Sequence, residues 1–158
     1  MPTETELQHL RRCIELAAEA LASGNDPFGS VLVAADGRVL FEDHNRVADG
    51  DLTRHPEFEI ARWAGVNLSA EERAAATVYT SGEHCPMCSA AHAWVGLGRI
   101  VYASSAEQTA AWLAELGVPP SPVRALRIQD VIRGAVVEGP VPDLAEEVHE
   151  LHRRAHLP

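Results

Sequence analysis

Two short segments of the chain carry side chains that could do chemistry: His55-Pro56-Glu57 and Cys85-Pro86-Met87-Cys88. Proline has no N–H and a fixed φ, so it fits the first turn of a helix and keeps the residue before it extended. His55 and Cys85 are therefore each expected at the cap of a helix, beside the positive end of its dipole. That field favours thiolate at Cys85 and Cys88. Their spacing puts both sulfurs on one face of the first turn. One imidazole and two thiolates form a ligand set for Zn2+, and three protein ligands leave a fourth position for water, as in catalytic sites. Two thiolates offset much of the ion's charge, so activating that water calls for a base. Glu57, two residues from His55, is the candidate.

A carboxylate that takes a proton from water, gives it to a ring nitrogen and then protonates a departing amine performs hydrolytic deamination. His-x-Glu combined with a later Cys-x-x-Cys is the pattern of zinc deaminases, with the glutamate outside the ligand set. Two other readings use the same residues. Cys85, Cys88 and His92 fall on one helix face and could hold a structural zinc with His55 or His84, in a non-enzymatic binding module. That leaves Glu57 without a task. A redox Cys-x-x-Cys would leave both His55 and Glu57 unexplained. His84 is expected as a supporting or solvent-facing residue and His92 as a packed helix residue. Cys13 is expected in the core, and the histidines near the tail on a solvated helix end.

The elements that must position these residues follow from periodicity and punctuation. Thr3 with Glu6 reads as a capping box ahead of a helix that stops at Ser23-Gly24. Phe28 to Ala34 reads as a strand, Asp36-Gly37 as a hairpin turn and Val39 to His44 as the return strand. Asn45 to Arg54 is a polar loop. Helices are expected from Pro56 to Gly65 and from Pro86 to Gly96. Strands are expected from Ala76 to Ser81 and from Arg99 to Ala103. Ser105 with Gln108 caps a helix ending at Gly117, and the proline-rich stretch Val118 to Pro122 is a loop. Ala135 to Glu138 reads as a strand, and Asp143 with Glu146 as the cap of a last helix. Strands alternating with helices after the first hairpin imply an α/β sheet covered on both faces, with the later strands parallel.

Composition bounds the remaining possibilities. The 158 residues are 46% hydrophobic and 23% charged, which suits one soluble domain, 1–158, with a buried core. The apolar runs are too short for a membrane span. The acidic start of the chain lacks the features of a secretory signal, so a cytoplasmic location is expected. The formal net charge is −10, and the only dense basic cluster is Arg153-Arg154 with His149, His152 and His156. A nucleic-acid partner is therefore not expected. A small neutral heterocycle suits this balance.

From Asp26 to Ala103 the sequence resembles the cytidine deaminase-like superfamily, and within it the bacterial guanine deaminases and small nucleobase deaminases. The resemblance rests on Pro27-Phe28-Gly29-Ser30-Val31-Leu32-Val33, His44-Asn45, His55-Pro56-Glu57, Tyr79-Thr80-Ser81, Glu83 and Cys85-Pro86-Met87-Cys88. It implies a three-layer α/β/α sandwich around a mixed five-stranded sheet, usually in a homodimer. It implies His55, Cys85 and Cys88 as zinc ligands and Glu57 as proton shuttle. Asn45, Phe28 and Glu83 match substrate contacts, and Trp94 is a further candidate beside the core. The implied substrate is a free base or aminoheterocycle: guanine, cytosine or a triazine-like ring. The alternative is a nucleoside or an adenosine of tRNA. Three features depart from the family's usual pattern. Pro56 stands where alanine is usual, His84 stands where proline is usual, and no aromatic follows Trp112.

Overall fold

The computed structural model describes residues 1–157. Helix α1 (Glu4–Ala22) starts at Thr3, whose hydroxyl accepts from the Glu6 N–H at 3.2 Å while the Glu6 carboxylate accepts from the Thr3 N–H at 2.9 Å. This is the capping box written in the sequence. Strands β1 (Gly29–Val33) and β2 (Val39–His44) form the expected hairpin. There follow α2 (Pro56–Asn67), α3 (Ala70–Ala75), β3 (Thr77–Gly82), α4 (Pro86–Trp94) and β4 (Ile100–Ser104). The chain continues with α5 (Ala106–Glu115), α6 (Ile128–Val131), β5 (Val137–Glu138) and α7 (Pro142–Ala155).

The strands lie in the order β2-β1-β3-β4-β5. β1 runs antiparallel to both neighbours, and β3, β4 and β5 run parallel. Helical crossovers after β3 and β4 impose that direction, as expected. The sheet is mixed and has helices on both faces. Strand alternation sorts the two sides. Val31, Val33, Tyr79, Val101 and Ala103 face α1 and α7, where they meet Leu10, Cys13, Ala17, Val148 and Leu151. Leu32 and Val78 belong to the opposite side and pack with Ile60, Ala61 and Ala64 of α2.

Three details differ from the sequence-based expectation. Helices α3 and α6 are additional. The first is opened by a capping box between Ser69 and Glu72, the same signal that Thr3 and Glu6 carry. The last helix begins at Pro142, with Val141 outside it and no side-chain cap. Proline takes the first-turn position, so Asp143 falls inside the helix, where its charge still opposes the dipole. The tail histidines are not all solvated. His152 is buried, with its ring 5.1 Å from Phe28 and 6.1 Å from Trp112. His149 stacks on Trp112 at 4.4 Å.

α1 lies close against β1. A Cβ at Gly29 would fall on the Cys13 carbonyl oxygen, 2.5 Å from Leu16 Cβ and 2.7 Å from Ala17 N. Gly29→Ala should therefore destabilise the fold by about 1–3 kcal/mol, as overpacking does, read from the midpoint of urea unfolding. At the far side of α1, Glu6 also pairs with Arg99, which pairs in turn with Glu138. The Glu6 carboxyl is held below the usual carboxylate range, first by the Thr3 N–H and then by Arg99. A depressed carboxylate stabilises above its unfolded pKa and loses that contribution as pH falls through the folded value. Glu6→Gln should lower Tm at pH 7, and the difference from the parent protein should shrink below about pH 4.

Candidate metal centre and active site

The two prolines do in the structure what their chemistry requires. His55 caps α2 with φ −92° and ψ 140°, and Cys85 caps α4 with φ −69° and ψ 167°. Both are extended, and the helix begins at the next residue. The two helix starts face each other. His55 Nδ1 lies 3.5 Å from Cys85 Sγ and 3.6 Å from Cys88 Sγ. All three donor atoms fall within 4.8 Å of one another. A tetrahedral zinc with Zn–S of about 2.3 Å and Zn–N of about 2.0–2.1 Å would separate nitrogen from sulfur by about 3.5 Å. The donor set thus fits that ion in both chemistry and spacing.

Electrostatics prepares the donors. Cys85 is held down to about 4, first by hydrogen bonding from Cys88 and then by His55. Cys88 is pushed up, because it is the donor to Cys85 and is buried. His55 is raised, chiefly by its contact with the Cys85 sulfur. A cation bound by these three donors would displace their protons.

Glu57 lies one residue inside α2, and its side chain reaches the sheet rather than the sulfurs' solvent side. Its Oε1 is 2.8 Å from Ser30 Oγ and 2.8 Å from Thr80 Oγ1. The two hydroxyls are 2.9 Å apart, and Thr80 Oγ1 is also 2.8 Å from the Gly82 carbonyl oxygen. Ser30 and Thr80 are direct partners in the β1–β3 ladder, so register alone sets them side by side beneath Glu57. The carboxyl is nevertheless raised, because burial outweighs the two hydroxyl donors. Sequence reasoning missed Ser30 and Thr80 as functional partners. The available signal was a polar residue in each of two otherwise buried strands, which calls for a buried acceptor.

A cavity of about 480 Å³ opens over this group, with His55, Glu57, Cys85, Phe28, Asn45 and Glu83 in its lining. Asn45 is buried, and its Oδ1 accepts the N–H groups of Asp26 at 3.3 Å and Val47 at 3.1 Å. Its amide NH2 makes no hydrogen bond among the described residues. Phe28 is braced edge-on by His152. Both Glu83 oxygens accept backbone N–H bonds at 2.9 Å, from Ala106 at the start of α5 and from Ile128 at the start of α6.

Trp94 is neither core nor cavity. It is 88% exposed, because nine residues at about 100° each turn it to the side of α4 opposite Cys85. His84 is buried rather than solvent-facing. Its ring meets His92 edge-on at 5.4 Å, and neither ring nitrogen has a hydrogen-bond partner among the described residues. His92 packs as expected, with Nε2 2.7 Å from the Gly98 carbonyl oxygen.

Comparisons with known proteins agree with this picture. The model of the cytidine and deoxycytidylate deaminase zinc-binding region matches residues 3–104. A probable cytosine deaminase of Schizosaccharomyces pombe is 36% identical over 106 residues, which cover 66% of this chain and 64% of that protein. The guanine deaminase of Bacillus subtilis is 39% identical over 114 residues, covering 71% of this chain and 70% of that one. The fold matches that of a guanine deaminase from Nitrosomonas europaea with a TM-score of 0.68 at 19% identity, over 99% of this chain and 86% of that one. The chain belongs to the zinc-binding cytidine and deoxycytidylate deaminase family.

Proposed function

We propose that this chain is a hydrolytic deaminase of a free nucleobase or related aminoheterocycle, of the guanine, cytosine or triazine-like kind. The observation that carries the reading is the Glu57 carboxylate, buried between two hydroxyls, in the same cavity as His55 and Cys85. His55, Cys85 and Cys88 would hold zinc. Bound there, the ion supplies Lewis acidity that makes water a nucleophile near neutral pH. Glu57 takes a proton from the attacking water and delivers it to a ring nitrogen. It then takes the hydroxyl proton of the tetrahedral carbon adduct and passes it to the exocyclic nitrogen, which leaves as ammonia while the carbonyl forms. Its raised affinity for a proton suits a group that must carry one between the two steps. Ser30 and Thr80 hold Oε1 and so fix which way the carboxylate faces. The Asn45 NH2 donates to a ring nitrogen or carbonyl of the heterocycle, and Phe28 covers its face. Glu83 acts by holding the wall of the cavity.

The net charge of −10 counts against an RNA substrate. Thiol ligands suit a reducing, cytoplasmic compartment, and no described helix is long and apolar enough to cross a membrane. The chain acts as one domain and pairs as a homodimer through the side of α2 and α4 that carries Val66 and Trp94, which are 85% and 88% exposed. Exposed apolar side chains that form a contiguous patch mark contact surfaces, and α2 and α4 pack against each other.

Two measurements test the reading. Glu57→Gln should keep stoichiometric zinc by elemental analysis and lose at least ~100-fold in ammonia release, whereas Cys85→Ser should lose the metal. A Glu57→Gln protein as active as the parent would overturn the enzyme assignment. Trp94→Lys should shift the sedimenting species from dimer to monomer. A parent protein that sediments as a monomer would overturn the dimer.

A further inference from the structure

The residues with assigned chemistry supply only part of the cavity lining. The rest comes from one face of α5 (Ala110, Leu113, Ala114) and from the loop after it (Val118, Pro119, Val123). This wall lies beyond residue 104, where the match to the zinc-binding region ends. Its polar side chains are few. The Thr109 hydroxyl bonds the Ser105 carbonyl, the Ser121 hydroxyl accepts from the Val123 N–H, and Arg124 supplies the one charge. At about 480 Å³ the cavity falls within the range of pockets that take drug-sized ligands, roughly 300–1,000 Å³. A single unsubstituted heterocycle is smaller than such ligands.

We propose that the substrate is an aminoheterocycle bearing an apolar substituent, alkyl or aryl, which packs against α5 and the 118–126 loop. The inference rests on the deaminase reading and narrows its substrate class. An unsubstituted base would leave this wall facing water. A ribose would bring hydroxyls against Ala110, Leu113, Ala114 and Val118, where nothing replaces their water. An anionic nucleotide would meet a single arginine. Glu83 holds the wall in place, since one carboxylate ties the starts of α5 and α6 to the end of β3.

The test is ammonia release by the zinc-loaded protein from matched sets of compounds: cytosine and guanine, their derivatives butylated or benzylated at the ring nitrogen that carries ribose in the nucleosides, and cytidine and guanosine. The expected result is a kcat/KM at least ~10-fold higher for an alkyl or benzyl compound than for its bare and ribosyl counterparts. Ala110→Trp, which fills the wall, should collapse that ratio. Bare bases turned over as well as the alkylated ones would overturn the inference and leave the deaminase reading standing. If no compound releases ammonia, the deaminase reading fails, and calorimetry of the same compounds decides the wall. Tighter binding of the benzyl compound, lost in Ala110→Trp, supports it; equal or absent binding overturns it.

Discussion

Pro56 and Pro86 hold the residues before them out of helical space, and the site depends on that constraint. Each helix is forced to start one residue after a ligand, so His55 and Cys85 sit at caps rather than within turns. Cys88 then falls on the same face as Cys85, and Glu57 falls one residue into α2, turned toward the sheet. The sheet supplies the complement. The antiparallel register of β1 and β3 pairs Ser30 with Thr80. A slip of one residue in β1 would bring Gly29 or Val31, neither with a hydroxyl, beneath Glu57 instead. Helix starts and strand register together place a metal ligand set and a carboxylate in one cavity.

The energetics of that carboxylate explain why its surroundings are polar. A buried carboxylate without partners costs several kcal/mol. Two hydroxyls at 2.8 Å recover part of this and leave the group still short of full stabilisation, which is why its proton affinity is raised. A fully solvated carboxylate would hold a proton too weakly to carry it, and one tied into an ion pair more weakly still. The intermediate condition comes from two neutral donors.

Much of this was legible in the sequence, for identifiable reasons. The ligands and Glu57 announce themselves because proline, histidine and cysteine have narrow uses, and Thr3 and Ser105 because capping boxes are local. What could not be read depends on contacts between distant segments. Ser30 and Thr80 are fifty residues apart and become partners only through the ladder. The burial of His84 and His152 is decided by elements that pack on them. Trp94 shows the opposite error. Its size suggests burial, and only its angle around α4 shows that it faces outward. Glu83 lines the cavity, but its bonds to Ala106 and Ile128 lie beyond any local pattern.

Those two bonds divide the molecule into a part that does chemistry and a part that is fastened on. His55, Glu57, Cys85 and Cys88 all precede α5, whereas α5, α6 and the loop between them are tied to the end of β3 by Glu83 and to the core by Trp112 and Ile128. A replacement segment would have to present two N–H groups to Glu83 and apolar side chains where Trp112 and Ile128 are buried. Changes confined to the loop between α5 and α6 would therefore reshape the cavity wall without disturbing His55, Glu57 or the cysteines, a separation that rests on Glu83 together with those two core contacts.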